Sequence, residues 1–199
     1  MMPTPDMTTL TANTIVDFIG DIFARRGAES YLGERVTMSQ HMLQAALLAE
    51  QAGAAEPVIV SALLHDIGHY TNEFPEDALA QGTDNLHEEA GARVLAPFFP
   101  TSVTDPIRHH VAAKRYLCAT DPDYFGKLSE ASVHTLNLQG GPMSDLEATA
   151  FAQEPNLDAI VQVRIWDDQG KDPAITTPGF DHYAPMIQRV VDAHQKDPT

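Results

Sequence analysis

Ala62-Leu63-Leu64-His65-Asp66-Ile67-Gly68-His69-Tyr70 is the stretch whose reading decides the fold. Small and apolar residues lead into a His-Asp pair, and a second His follows four residues after the first. On a helix, residues four apart lie one turn above each other, so His65 and His69 share a face with Asp66 at its rim. The apolar run would be buried, so any polar ligands would be carried on a rigid, packed element, as metal sites require. We expect a third helix with Pro57 in its first turn, running through the His-Asp pair to Tyr70.

Working outward, helical periodicity recurs on both sides. Ile15, Phe18, Ile19, Ile22 and Phe23 fall at helical spacing, and Gly27 is placed to end that helix. A second helix is expected from Met38 to Ala52, with His41, Ala45 and Leu48 on one face. Thr71 to Asn85 is polar and loop-like, and His87 to Leu95 reads as a helix that closes before Pro97. Thr101 or Ser102 would cap the helix that leads to His109-His110. Ser129 is placed to cap a helix reaching Leu138, stopped by Gly140-Gly141-Pro142, and Ser144 and Glu147 have capping-box spacing. Asn156 would cap a helix carrying Ile160, Val163 and Asp167, with Gly170 just past its end. A last helix runs from about Asp181 to His194. There is no internal repeat, low-complexity segment or alternating strand run. The expectation is an all-α single domain over residues 13–199, behind a Pro/Thr-rich, frayed N-terminus at 1–12.

At 199 residues the chain can bury a proper core without staples. Its net charge of −16 repels phosphate backbones and anionic headgroups, which excludes nucleic acid and anionic membranes as partners. A small anionic substrate must therefore meet local positive centres. The single cysteine, Cys118, excludes an internal disulfide and reads as a small packed residue. With no secretory h-region and no apolar run long enough to span a bilayer, a cytoplasmic location is expected.

Nine His residues are many for this length. The candidate ligands are His41, His65, Asp66, His87, His110 and Asp167, spread over five expected helices. A His-Asp dipeptide is unspecific, and a lone His is more often a satisfied polar residue than a ligand. Four His and two carboxylates with apolar neighbours match what two transition metals need, because imidazole and carboxylate suit iron, manganese or zinc and a carboxylate can bridge two ions. The lack of cysteine ligands argues against structural zinc.

The order His, His-Asp, His, His, Asp resembles the HD-domain superfamily of helical metalloproteins, most of which are phosphohydrolases. Other segments are more particular: Tyr31-Leu32-Gly33-Glu34, His110-Val111-Ala112-Ala113-Lys114-Arg115-Tyr116, Leu128-Ser129-Glu130-Ala131-Ser132, Gln139-Gly140-Gly141-Pro142-Met143 and Arg164-Ile165-Trp166-Asp167. Together they resemble the HD-domain di-iron oxygenases of organophosphonate breakdown over nearly the whole chain. The resemblance implies a single HD-domain helical bundle with a mixed-valent Fe(II)/Fe(III) pair and dioxygen as co-substrate. It assigns His41, His65, Asp66 and Asp167 to one iron, with Asp66 bridging to a second iron completed by His87 and His110. Tyr31 would occupy the substrate side of the second iron when the site is empty.

The resemblance also implies a small zwitterionic phosphonate substrate, made by a separate hydroxylase that installs its hydroxyl. Lys114 lies four residues after His110 and Arg164 three before Asp167, which places each on a ligand's helical face. The family match assigns both to the phosphonate, with Ser132 and His69 adding hydrogen bonds and Glu34 attending the ammonium group. Arg115 is expected to face elsewhere. The substrate would be 2-amino-1-hydroxyethylphosphonate, giving glycine, or (R)-1-hydroxy-2-(trimethylammonio)ethylphosphonate, giving glycine betaine. Met38 and Met42, beside His41, either fill core gaps or adapt the site to a methylated cation, and on the second view the reading leans to the trimethylammonium substrate. The rival activity is a metal-dependent phosphohydrolase using the same ligands.

Overall fold

The computed structural model describes residues 9–29, 34–71 and 86–197. The expectations for Tyr31, for residues 1–8 of the N-terminus and for the polar stretch 72–85 lie outside the described residues. Among the described residues there are nine α-helices: α1 (Ile15–Arg26), α2 (Met38–Gln51), α3 (Glu56–Leu64), α4 (His87–Leu95), α5 (Thr101–Thr120), α6 (Glu130–Leu138), α7 (Asp145–Phe151), α8 (Leu157–Gln169) and α9 (Phe180–Lys196). The all-α expectation holds. No helix among the described residues is long and apolar enough to cross a membrane.

The bundle is built around α3. Ile59, Val60, Ser61, Ala62, Leu63 and Leu64 are all buried, so the helix is apolar on every side and must be surrounded. It packs against α2, α5, α8 and α9. Its one buried polar side chain, Ser61, donates to Pro57 O at 2.8 Å and lies 3.1 Å from Val103 O, at the start of α5. Beyond this core, Ala113, Phe151 and Ile160 form a second, smaller cluster joining α5, α7 and α8.

The expected third helix does not continue to Tyr70. It ends at Leu64, His65 is its cap, and Ile67–Tyr70 forms a 3-10 turn. Asp66 adopts φ −100 and ψ 7, outside the helical range. The reason is a close approach that only glycine permits. A Cβ on Gly68 would lie 1.7 Å from His87 O, so the turn packs its backbone against the start of α4. His65 and His69 therefore do not share one helical face. The break swings Asp66 between His65 and the N-terminal residue of α4.

The other helix starts follow local chemistry. Thr37 and Ser144 each form a capping box, with Gln40 and Glu147 respectively, and Ser129 Oγ accepts from Ser132 N. Helix α5 starts one residue earlier than its expected caps, with Pro100 at the N-cap and no side chain bonding the end. Asn156 stands at the N-cap of α8 without bonding that end, its amide instead donating to Asp105 Oδ2 at 2.8 Å.

Candidate metal centre

Five elements deliver six buried side chains to one place: His41 from α2, His65 and Asp66 from the end of α3, His87 from α4, His110 from α5 and Asp167 from α8. Backbone carbonyls fix the tautomers. His41 Nδ1 donates to Gly170 O at 3.0 Å, His65 Nδ1 to Ala62 O at 2.8 Å and His110 Nδ1 to Ile107 O at 2.7 Å. A carbonyl only accepts, so each Nδ1 carries the proton and each Nε2 is left for a metal or a second proton.

Those Nε2 atoms converge in pairs. His41 and His65 approach to 3.0 Å, and His87 and His110 to 3.1 Å. Asp66 lies between the pairs and divides its oxygens. Its Oδ2 is 3.4 Å from His41 Nε2 and 3.5 Å from His65 Nε2, while its Oδ1 is 3.2 Å from His87 Nε2 and 3.5 Å from His110 Nε2. Asp167 Oδ1 joins the first pair, 3.4 Å from His41 and 3.8 Å from His65. Asp66 Oδ2 and Asp167 Oδ1 are buried and have no hydrogen-bond partner. Ligand atoms each about 2.1 Å from a central ion lie about 3.0–3.4 Å from one another, so most of these separations fit the edges of a coordination polyhedron, and the His65 and His110 contacts to the carboxylates are longer. Imidazole and carboxylate donors without thiolate suit iron, manganese or zinc.

The electrostatics follow the same division. Burial works against a charged His41, but its close approach to the Asp167 and Asp66 carboxylates outweighs it and pushes the ring up to about 9. Burial also opposes ionisation of both carboxylates. Attraction to His65 for Asp66, and to Arg164 for Asp167, nonetheless holds them well below the usual carboxylate range. On the other side, burial pushes His110 down. Burial and the neighbouring His87 take His69 down to about 3, so it stands as a neutral ring. His69 stacks on His87 with centroids 4.1 Å apart and has Nε2 3.9 Å from Asp66 Oδ1.

A cleft opens onto this centre, lined by Asp66, His69, His87, His110 and Asp167 together with Glu34, Ser132, Lys114 and Arg164. Arg164 is fixed by its own helix: Nη1 bonds Asp167 Oδ2 at 2.6 Å, Nε bonds Asp168 Oδ2 at 3.0 Å, and Tyr124 donates its hydroxyl to Asp168. Lys114 Nζ donates to Thr135 Oγ1 at 2.8 Å, and burial and the nearby Arg164 push it down to about 7. Ser129 donates to Glu34 Oε1 at 2.6 Å. Arg115 points away, as expected, and binds Gly141 O and Glu147.

Of the two alternatives for Met38 and Met42, core filling holds: both are buried in the main hydrophobic core and neither is among the residues that line the cleft. Lys171 was missed. It lines the cleft just past the end of α8, with Nζ 3.1 Å from Ser132 Oγ and 3.8 Å from Glu34 Oε1. Its position four residues after Asp167 was the available signal.

An all-helical bundle holding paired His side chains about a central His-Asp carboxylate defines a class of metal-site protein. Residues 38–150 match the HD domain, and the chain belongs to the HD-domain family. Two relatives are named for an activity. The [1-hydroxy-2-(trimethylamino)ethyl]phosphonate dioxygenase (glycine-betaine-forming) of Leisingera caerulea is 56% identical over 193 residues, covering 97% of this chain and 98% of the relative. The hydroxymethylphosphonate dioxygenase of Gimesia maris is 42% identical over 165 residues, 82% of each chain. An uncharacterised protein of Acanthamoeba polyphaga mimivirus is 36% identical over 178 residues, 88% of this chain and 79% of the relative.

Proposed function

We propose that this chain is a di-iron dioxygenase that cleaves the carbon–phosphorus bond of a 1-hydroxy-2-ammonioethylphosphonate. The favoured substrate is (R)-1-hydroxy-2-(trimethylammonio)ethylphosphonate, giving glycine betaine and phosphate; 2-amino-1-hydroxyethylphosphonate, giving glycine, is the close variant. The reaction balances with one dioxygen: one oxygen atom ends in the carboxylic acid and the other in phosphate. The observation that carries the reading is Asp66, whose two oxygens each serve a separate His pair at the foot of a cation-lined cleft. The identity to the Leisingera relative over nearly both whole chains supports the choice of substrate. The Gimesia relative supports a hydroxyl on the carbon next to phosphorus as the common demand.

In this reading His41, His65, Asp66 and Asp167 hold one iron, and Asp66, His87 and His110 hold the other. When bound, the iron pair supplies the one-electron redox chemistry with dioxygen that the protein's own side chains lack. The side chains do the rest. Lys114 and Arg164 neutralise the phosphonate, and the two carboxylates on Arg164 keep its guanidinium in position before substrate arrives. Ser132 and His69 add hydrogen bonds, and Glu34 offsets the ammonium charge. Because the substrate already carries a hydroxyl, a hydroxylation by another enzyme must precede this step.

The test is product analysis with each hydroxyphosphonate in turn, alongside metal analysis. About two irons per chain are expected. Phosphate and glycine betaine should appear under air and vanish when oxygen is removed. Phosphate release that persists without oxygen would point instead to hydrolysis. Equal turnover of both amines would remove the preference for the methylated substrate.

A further inference from the structure

We propose that Lys171 and Glu34 form a charge-exchange pair that makes the cleft select a zwitterion over a simple phosphonate. The proposal rests on the phosphonate reading of the same site and adds a residue to it. Lys171 follows Gly170, the cap of α8, and reaches Ser132 Oγ at 3.1 Å. Glu34 Oε1 lies 3.8 Å from the same ammonium, close enough to share charge and too far for a direct hydrogen bond. Ser129 holds that carboxylate oxygen from the other side at 2.6 Å. Both charged residues line the cleft with Lys114 and Arg164.

Such a pair is easily parted, because a partly solvated contact without a hydrogen bond contributes little. A phosphonate seated by Lys114 and Ser132 offers Lys171 a charge-assisted hydrogen bond. Taken alone, that would leave Glu34 uncompensated beside a dianion. A substrate that brings its own ammonium supplies the missing cation, so one internal pair is replaced by two external ones. A trimethylammonium group serves as well as an amine, since compensation needs charge and no N–H.

Calorimetry on the iron-loaded protein without oxygen tests this, with inorganic phosphate and with 2-(trimethylammonio)ethylphosphonate, the zwitterion that lacks the hydroxyl. In Glu34→Gln, phosphate should bind about tenfold tighter and the zwitterion about tenfold weaker. In Lys171→Met both should bind about tenfold weaker. In the double variant the phosphate gain should disappear. Lys171→Arg keeps the charge and should hold both affinities within about threefold, which separates loss of charge from loss of fold. Phosphate binding that is unchanged or weaker in Glu34→Gln overturns the exchange, as does a gain that survives in the double variant. The readout is binding, so a protein that oxidises neither hydroxyphosphonate yet shows the opposite signs fails the reaction proposed above and keeps the exchange.

Discussion

On its Oδ2 side Asp66 meets His41 and His65, with Asp167 close by; on its Oδ1 side it meets His87 and His110, with His69 alongside. His41 and His65 are fully enclosed, whereas His69, His87 and His110 form part of the cleft wall. The enclosed half carries a second carboxylate and raises His41 to about 9; the open half has only the shared carboxylate, and its His110 and His69 are lowered. The enclosed half favours a charged ring at His41, whereas the open half disfavours charge on His110 and His69. Of the four paired His residues, His87 and His110 face the cleft. The shared carboxylate is where the comparison is most easily broken. Asp66→Ala should lose both irons and lower turnover by well over about 100-fold, since even partners outside the coordination sphere account for 10–100-fold. Metal analysis checks this, and one iron fully retained would mean that the halves are independent.

Removing one His from each half sharpens the contrast. His110→Ala should retain about one iron, because the enclosed half keeps all its donors. His41→Ala should reduce iron in both halves, since the enclosed ion would no longer orient Asp66. In metal-free protein His41→Ala also strips a buried partner from two carboxylates, a change worth about 3–5 kcal/mol. Its pH dependence has a defined sign. The raised value of His41 means that its stabilisation is complete below 6.5 and is lost as pH rises through about 9. The resistance of the metal-free wild type to denaturation should therefore fall across that window, and His41→Ala should show no such loss there.

Much of the scaffold was legible because its causes are local. Ser129 and Ser144 cap helices through side chains bonding backbone three residues on, and sequence displays that spacing directly. The end of α3 was not legible. It depends on the Gly68 backbone lying against His87 O, and the periodicity of residues 62–70 contains no trace of that contact. For the site, spacing placed Lys114 and Arg164 on the faces of His110 and Asp167, and the structure puts both in the cleft wall. Convergence of five elements on Asp66 was anticipated through resemblance alone, since no local rule brings α2, α4 and α8 together. Lys171 escaped because, although it follows Asp167 by four residues, α8 ends between them and weakens that signal, and because Glu34 is near the other end of the chain. The two alternatives for Met38 and Met42 stayed open in the sequence, because adjacency to His41 along the chain says little about which side of a helix faces the cleft.

The cleft wall offers a finer test of the same asymmetry. Lys114 is a cation below about 7 and neutral above it, because burial and Arg164 disfavour its charge. Phosphonate favours the cation, so kcat/KM should decline as pH rises past about 7. Lys114→Met should remove that decline and raise KM by about tenfold or more, the cost of a lost charge-assisted hydrogen bond. Lys114→Arg should restore affinity and shift the decline to higher pH. An unchanged pH profile in Lys114→Met would take this residue out of substrate binding.

Tyr124 gives the smallest effect and separates positioning from contact. Its hydroxyl donates to Asp168, which in turn holds Arg164, so it lies one step removed from substrate. The same side chain is buried, and burial raises its phenol beyond the normal range, which keeps it a donor at every working pH. Tyr124→Phe removes one hydrogen bond and leaves Arg164 with both carboxylates, so the loss should be near 1 kcal/mol, or about fivefold. Because Asp168 holds Arg164 through Nε and Nη2 while Asp167 is held through Nη1, the change should appear in KM while kcat and iron content stay constant. A fall in kcat or in iron would show instead that Asp168 steadies Asp167 through Arg164, and that the cleft wall and the enclosed half of the centre act as one unit.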